Sequence, residues 1–322
     1  MNVLYHQGKG FKVLLLIIVS LCIVFVADIF FGYVFRNSPY GIYKKLHQII
    51  EESNYYDVYM IGSSRVETAF ETNIISQKTS LKFFNAGIHG AKPPQTYYLL
   101  KHIFRQHPLP RLVVFDIDVH NISDKDSVLN IEQFAPFMHH PSLRKNFATI
   151  DKRIIYAYYI PMYELSFYGL RGIAKLARTL LKMPGRYDTA FQISGCYHSH
   201  TDYQKSHYPD TTHPFSFHPI NIAYIDSVIE LCRKNKVDIL LTVSPVFQPD
   251  SNIANAVHQL KKYCENKNVV VMDFSDVPSI SRNIHKFSDK YHLKFNGSVE
   301  MSHIFSDSIV KYLHSNTFHS QR

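Results

Sequence analysis

The stretch Asp57-Val-Tyr-Met-Ile-Gly-Ser-Ser-Arg65 decides the fold of this chain. Asp57–Gly62 has the length and apolar character of a buried strand that ends in a tight turn. A helical pattern over Arg65–Gln77 follows at once. The stretch therefore predicts a strand–turn–helix unit, which is the building block of a parallel sheet.

Strands and helices continue to alternate on both sides of a long interruption. Each further strand is a short apolar run, and each helix has the spacing of an amphipathic surface helix. This alternation predicts an α/β fold with a central parallel sheet covered on both faces. The other predicted strands are Leu81–Asn85, Arg111–Asp118, Val237–Val243 and Asn268–Asp273, and the other helices are Pro94–Gln106, Ile220–Lys234, Ile253–Asn266 and Gly297–Tyr312.

The interruption lies between Val119 and Pro219 and is rich in Tyr, Phe, His and Pro. It is too long for a simple connection, so it should carry its own structure. We predict helices over Arg153–Tyr168 and Arg171–Lys182 and interpret the segment as a helical and irregular insertion that forms a cap or a substrate wall. The expected organisation is an N-terminal tip and membrane anchor at 1–36, a linker helix at 37–56 and an α/β domain at 57–322 that contains the insertion.

Residues Phe11–Phe35 form a nearly unbroken apolar run in which only Lys12 and Asp28 are charged. A helix of this length, at about 1.5 Å per residue, crosses the hydrocarbon core of a bilayer. A cleaved signal peptide would have a shorter apolar stretch and a small-x-small cleavage site, so a signal anchor is favoured. Basic residues on both sides orient the helix only weakly, and we expect the α/β domain on the extracytoplasmic side, periplasmic or extracellular.

Composition narrows the classes of function. The formal charge of +9 is not gathered into a long basic run, so a generally basic surface is expected and a nucleic-acid partner is not. Of the four cysteines, Cys22 lies in the apolar run, and Cys196, Cys232 and Cys264 form no CxxC pair. An odd number outside the run excludes a full disulfide framework, although one bridge stays open.

The serine at position 64 is placed for chemistry. It follows a strand at the carboxyl edge of the sheet and lies near a helix N-terminus, where backbone N–H groups stabilise negative charge. This position suits the nucleophile of an acyl-transfer reaction. The tetrapeptide Gly62–Arg65 taken alone favours the simpler interpretation that one of its serines caps the helix.

A second element lies just before the last helix, at Ser288-Asp-Lys-Tyr-His-Leu293. A spacing of three residues lets Asp289 and His292 meet on one turn. The carboxylate could then fix the imidazole tautomer, and the far ring nitrogen could accept a serine proton. In a chain with 19 histidines, Asp-x-x-His alone is also compatible with an ordinary surface turn.

In this order and at these places, Gly62-Ser-Ser64 and Asp289-Lys-Tyr-His292 resemble the motifs of the SGNH-hydrolase (GDSL) superfamily. The resemblance covers about Asp57–Asp118 and Ile220–Leu313. It implies a three-layer flavodoxin-like domain and a serine–histidine–aspartate catalytic triad. The Gly-Ser-Ser variant is also similar to that of membrane-anchored acyl-transfer proteins such as the D-alanylation protein of teichoic acids, and to polysaccharide O-acetyltransferases.

The resemblance further implies an oxyanion hole. The family's glycine after the second strand corresponds to Gly90 in Asn85-Ala-Gly-Ile-His-Gly90. The family's Gly-x-Asn-Asp block corresponds to Asp116-Ile-Asp-Val-His-Asn121, which lacks the glycine. Asn121 is then the candidate for the second donor, because the carboxylate of Asp118 would repel an oxyanion.

What the resemblance implies is a membrane-anchored serine O-acyltransferase, with O-acetyl transfer to a cell-envelope or exported polysaccharide as the expected reaction. A multi-spanning membrane acyltransferase would supply the acyl group, and no cofactor is expected. Two alternatives stay open: a membrane-tethered esterase or deacetylase that uses water, and a non-catalytic glycan-binding scaffold that has lost an effective oxyanion hole.

Other polar clusters are weaker candidates. Cys196-Tyr-His198-Ser-His200 alternates possible metal ligands but lacks a clear third and fourth partner, so a polar loop is favoured. The pair His139 and His140 is a similar case. No metal site is therefore predicted.

Overall fold

The computed structural model describes residues 2–119, 122, 130–163, 165–183, 185, 195–204 and 216–315. A long N-terminal helix leads into an α/β domain. The strands are β1 Val58–Ile61, β2 Phe83–Asn85, β3 Leu112–Asp116, β4 Asp238–Val243 and β5 Val270–Asp273. The helices are α1 Asn2–Arg36, α2 Gly41–Ile50, α3 Ser64–Ala69, α4 Thr72–Thr79, α5 Pro93–Gln106, α6 Ile131–Phe134, α7 Pro141–Phe147, α8 Arg153–Tyr159, α9 Leu165–Leu180, α10 Pro219–Lys234, α11 Ser251–Glu265, α12 Pro278–Ser281 and α13 Phe295–Ser315, with 3-10 turns at Ala135–Phe137 and Ile284–Lys286.

The five strands form one sheet in the order β2-β1-β3-β4-β5, and every neighbouring pair is parallel. This confirms the predicted α/β class, and the order is the flavodoxin-like one. The strand order reverses between β1 and β3, and sheets of this kind bind ligands in the crevice outside the carboxyl ends of the strands at that point. Ser64 follows β1 and Asp116 ends β3, so both lie at this crevice.

Helices cover both faces of the sheet, and β1, β2 and β3 are therefore buried along their whole length. Alternate residues of β1 point to opposite faces. Tyr59 and Ile61 belong to a core that also contains residues of α2, α5, α10 and α11 and the end of α1. Val58 and Met60 belong to a second core with residues of α3, α4 and α13.

Two predicted helices are wrong in extent. The helix expected over Arg65–Gln77 is two helices, α3 and α4, because Phe70 is extended and the Asn85 amide donates to the carbonyls of Val66 and Phe70, at 2.7 and 3.3 Å. The helix expected over Arg153–Tyr168 ends at Tyr159. Pro161 explains that break, since proline lacks an N–H group and disfavours helical geometry in the residue before it.

The N-terminal part joins the domain closely. Gly10–Arg36 is long and apolar enough to cross a membrane, with a mean hydropathy of 3.1 in its most apolar window, and that window is not buried. The helix that follows, α2, packs its apolar face into the first core. It also buries Lys45, whose ammonium lies 3.0 Å from the Glu67 carboxylate on α3.

Candidate active site

The turn after β1 presents Ser64. Gly62 has a φ of 146°, and a Cβ at this position would lie 2.7 Å from the Asp116 carbonyl oxygen, so only glycine fits. The Ser63 hydroxyl accepts a hydrogen bond from the Arg65 backbone N–H at 3.3 Å and caps α3. Because Ser63 is the capping residue, the side chain of Ser64 is left for another role.

Ser64, His292 and Asp289 form one hydrogen-bonded line. Ser64 Oγ lies 2.7 Å from His292 Nε2, although the two residues are 228 positions apart. His292 Nδ1 lies 2.9 and 2.8 Å from the two carboxylate oxygens of Asp289. Ser64 is half-buried, and the His292 side chain is 18% exposed. The structure thus brings together the three side chains that the sequence singled out.

The loop before α13 holds Asp289 for this contact. Its Oδ1 also accepts the backbone N–H groups of Tyr291 and His292, at 2.8 and 3.0 Å. Burial by itself raises the pKa of Asp289, but these hydrogen bonds and the His292 ring outweigh it, and the pKa lies below its ordinary value. An ionised carboxylate favours the tautomer with the proton on His292 Nδ1, which leaves Nε2 free to accept the proton of Ser64.

Arg65 fixes the start of α3 to the neighbouring strands. Its guanidinium is 1% exposed and donates to the carbonyls of Ser244 and Pro245 after β4. It also lies 3.4 Å from the Asp118 carboxylate after β3. The residue next to Ser64 therefore ties the turn to two other strand ends, which the sequence did not indicate.

Asp116 is a buried carboxylate beside the same turn. Its Oδ1 accepts hydrogen bonds from Thr242 and Ser244, at 2.9 and 2.7 Å. Burial raises the pKa of Asp116 to about 6, and the Arg65 charge and the two hydroxyls only partly offset this. With Gly62, the carboxylate lines a cavity of about 10 Å³, which is the size of one water molecule.

One of the two predicted oxyanion-hole residues lies within the described part of the chain. Gly90 lies in an exposed turn after β2 with a φ of 70°, and a Cβ there would lie 2.7 Å from the Asn130 amide nitrogen. Asn121 lies outside the described residues. The donor role of both residues stays a prediction.

Gly87, in the same segment as Gly90, was not singled out from the sequence. A Cβ on this residue would lie 2.9 Å from the Ser63 carbonyl oxygen and 2.8 Å from the Val66 side chain. The Asn85 side chain accepts its backbone N–H at 3.1 Å. Gly87 therefore allows the segment after β2 to pack directly on the turn that presents Ser64.

The end of the insertion returns to the site. Tyr197 donates its backbone N–H to the Glu67 carbonyl at 2.9 Å, and Gln204 donates to the Ser288 carbonyl at 2.8 Å. Between them, Tyr203 has a pKa raised by burial and by the negative charge of Asp289. Residues 195–204 thus connect α3 with the loop that carries Asp289.

The cysteine–histidine stretch of this segment makes other contacts. The Cys196 thiol lies 3.1 Å from the Thr72 hydroxyl, and His198 Nε2 lies 2.6 Å from a Glu71 carboxylate oxygen. The other oxygen of Glu71 accepts the Ser298 hydroxyl at 2.8 Å. These bonds attach the returning segment to α4 and α13.

Within the described ranges, one group of three possible metal ligands occurs: Glu51, His139 and His140. Glu51 lies 3.3 and 3.2 Å from the Nε2 atoms of the two histidines, and the Arg36 guanidinium lies 3.3 Å from His139 Nδ1. Arginine can only donate, so His139 Nδ1 is the acceptor and its ring proton sits on Nε2, facing Glu51. These contacts join the end of α1 to the insertion.

Comparison with known proteins gives distant likenesses. A protein-family model matches residues 210–314, which is less than half of the chain. The comparison with curated proteins found no match. Among solved structures, the chain is similar to a protein described as a lipolytic protein of the G-D-S-L family from Desulfitobacterium hafniense, with 11% identity, a TM-score of 0.40 and coverage of 79% of this chain and 99% of the other.

Two further structures are similar at the same level. One, described as an acylhydrolase from Bacteroides fragilis, has 16% identity, a TM-score of 0.40 and coverage of 81% and 90% of the two chains. The other is a GDSL-like lipase from Bacteroides thetaiotaomicron, with 11% identity, a TM-score of 0.40 and coverage of 84% and 98%. Because these similarities are so distant, the chemistry of this chain is inferred from the contact between Ser64, His292 and Asp289.

Proposed function

We propose that this protein is a serine-dependent acyl-transfer enzyme of the SGNH-hydrolase type. Ser64 is the nucleophile, His292 is the general base and then the general acid, and Asp289 orients the histidine. The observation that supports this is the hydrogen-bonded line from Ser64 Oγ through the His292 ring to the Asp289 carboxylate, with distances of 2.7 and 2.8 Å. A serine whose proton can pass to a neighbouring base is an activated nucleophile.

The first half of the reaction forms an acyl-serine. Ser64 Oγ attacks the carbonyl carbon of the acyl donor while its proton moves to His292 Nε2. Gly90, the Ser64 backbone N–H and Asn121 are the proposed donors to the oxyanion that develops. When the tetrahedral intermediate collapses, the bond to the leaving group breaks, and the leaving group takes the proton from His292.

In the second half of the reaction, the acyl group passes from Ser64 to an acceptor hydroxyl. His292 removes the proton of that hydroxyl, its oxygen attacks the Ser64 ester, and Ser64 leaves with the proton from His292. We infer that the acceptor is a glycan of the cell envelope or an exported polysaccharide, on the extracytoplasmic side. The apolar helix α1 supports transfer, because an enzyme that receives acyl groups from a multi-spanning membrane partner has to stay beside it.

Labelling with a fluorescent fluorophosphonate tests the nucleophile. The full-length protein in detergent micelles is compared with Ser64→Ala and His292→Ala, and Ser63→Ala and His303→Ala serve as matched controls. Labelling should disappear in Ser64→Ala and slow by about a hundredfold or more in His292→Ala, since general-base catalysis contributes factors of this size. Labelling that survives Ser64→Ala would refute the proposed role.

The acceptor is tested with p-nitrophenyl acetate as the acyl donor. Transfer predicts that an added glycan speeds p-nitrophenol release and becomes acetylated, which mass spectrometry of the glycan detects. Release that is unaffected by a panel of envelope glycans, with free acetate as the product, would identify water as the acceptor and make the protein a tethered esterase.

A further inference from the structure

The connection between α8 and α9 lies against the apolar helix α1. The Met162 backbone N–H donates to Asp28 Oδ1 at 2.6 Å. Asp28 belongs to the apolar stretch that ends at Arg36, and at about 1.5 Å per residue it lies about 12 Å from Arg36 along the helix axis. The connection therefore reaches the level of the apolar stretch, and its N–H group satisfies the one acidic side chain there.

The helix α9 exposes an apolar stripe. Ile173, Leu180 and Leu181 are 51%, 50% and 68% exposed, and Ala177 lies exposed between them. The spacing from 173 through 177 to 180 and 181 places these four side chains on one face of a helix. Leu176, at the edge of this face, is buried, and α9 packs on α1. The apolar face of α9 thus points away from the protein.

The helix α8 adds aromatic side chains near the same connection. Tyr156, Tyr159 and Ile160 are 50%, 67% and 48% exposed, and Tyr33 on α1 is 58% exposed. Tyrosines concentrate at membrane–water interfaces because the ring is apolar and the hydroxyl is polar. These tyrosines come from two parts of the chain that meet where Met162 contacts α1.

Basic side chains accompany the apolar stripe. Arg171, Arg178 and Lys182 are exposed along α9 and just after it. Long basic side chains can lie along apolar surface while the charged group stays in the headgroup region. Their charge is complementary to an anionic phospholipid surface.

We propose that the exposed residues Tyr156, Tyr159 and Ile160 at α8 and Ile173, Leu180 and Leu181 at α9, together called the α8–α9 face, lie in the interface of a bilayer that contains anionic phospholipid. The protein then contacts the membrane twice, through the span in α1 and through this face beside it. The second contact holds the domain at a fixed tilt to the membrane plane. This inference uses the span in α1 and does not depend on the chemistry of Ser64.

The test uses tryptophan fluorescence, because the chain contains no Trp of its own. Full-length Tyr159→Trp is reconstituted in vesicles of phosphatidylcholine and phosphatidylglycerol, with and without lipid brominated along the acyl chain. Ile284→Trp is the matched control, since Ile284 is 40% exposed in a 3-10 turn that packs on α13, on the other side of the sheet from α1. Brominated lipid quenches a tryptophan only when the two are in contact.

We expect a blue-shifted emission and strong quenching for Tyr159→Trp, and neither for Ile284→Trp. Adding Leu180→Glu and Leu181→Glu to Tyr159→Trp should reduce the quenching, because both leucines are exposed and their replacement leaves the core intact. Quenching should also fall in vesicles of phosphatidylcholine alone. If Tyr159→Trp is as unquenched and as accessible to acrylamide as Ile284→Trp, the proposal is overturned.

Discussion

The buried pair Lys45–Glu67 offers the sharpest test of how the N-terminal helices support the site. Lys45 on α2 and Glu67 on α3 are 1% and 3% exposed and lie 3.0 Å apart. Glu67 lies one helical turn after Ser64. Burial lowers the pKa of Lys45, and the charge of Glu67 only partly offsets this. The change to make is Lys45→Met, which keeps the length of the side chain and removes the charge.

The expected cost follows from the burial of both groups. Removing one partner of a buried ion pair leaves the other charge uncompensated and costs about 3–5 kcal/mol of unfolding free energy. Replacing both partners by apolar residues of similar volume is often neutral. Lys45→Met should therefore be strongly destabilising, and Lys45→Met combined with Glu67→Met should recover most of the loss.

Urea unfolding of the full-length protein in detergent micelles, followed by far-UV circular dichroism, measures the free energy of unfolding of these variants. Lys44→Met is the matched control, because Lys44 neighbours Lys45 but is only half-buried. Fluorophosphonate labelling of the same samples reports whether α3 still presents Ser64. A Lys45→Met variant no less stable than Lys44→Met, or a double variant as unstable as the single one, would show that the pair does not join α2 to α3 in this way.

Three further predictions concern the site. Asp289→Asn should slow fluorophosphonate labelling by roughly ten-thousandfold without unfolding the protein, because the wrong His292 tautomer is then stabilised; labelling at the original rate would reject the proposed role of Asp289. Gly62→Ala should lower the free energy of unfolding by at least about 2 kcal/mol and abolish labelling, because its Cβ would lie 2.7 Å from a carbonyl oxygen. Gly10→Ala, whose Cβ would have no atom within 4 Å, should change neither quantity. Because the pKa of Asp116 is about 6 in the folded state, the folded protein keeps a proton that the unfolded chain loses near pH 4. The contribution of protonated Asp116 to the free energy of unfolding therefore falls as the pH rises from about 4 to 6, by up to about 3 kcal/mol. The free energy of unfolding of Asp116→Asn, measured with urea at pH 4 and pH 7, should not show this fall. A pH dependence identical to that of the unmodified protein would contradict the raised pKa of Asp116.

The order of elements could be predicted from the sequence because hydrophobic periodicity is a local property. Short apolar runs such as Val58–Ile61 alternate with amphipathic helices, and this pattern already determines a parallel sheet with function at the carboxyl ends of its strands. Ser64 and the pair Asp289 and His292 could be singled out for the same reason, since each lies in a short motif next to a predicted strand or helix.

Features that depend on contacts distant in sequence required the tertiary structure. The break between α3 and α4 depends on the Asn85 side chain, and the position of Arg65 depends on carbonyl groups after β4. Neither partner is marked by any local pattern. The return of residues 195–204 to the loop of Asp289 likewise depends on backbone hydrogen bonds that leave no trace in residue type.

The sequence by itself determined the α/β class, the apolar N-terminal helix and the candidate residues for serine chemistry. Only the tertiary structure decided that Ser63 caps α3 while Ser64 meets His292 at 2.7 Å, and that the α8–α9 face stays exposed beside α1. The physical reason is that periodicity and short motifs are encoded within a few residues. The direction of a hydroxyl and the burial of a helix face are instead set by packing between segments far apart in the chain.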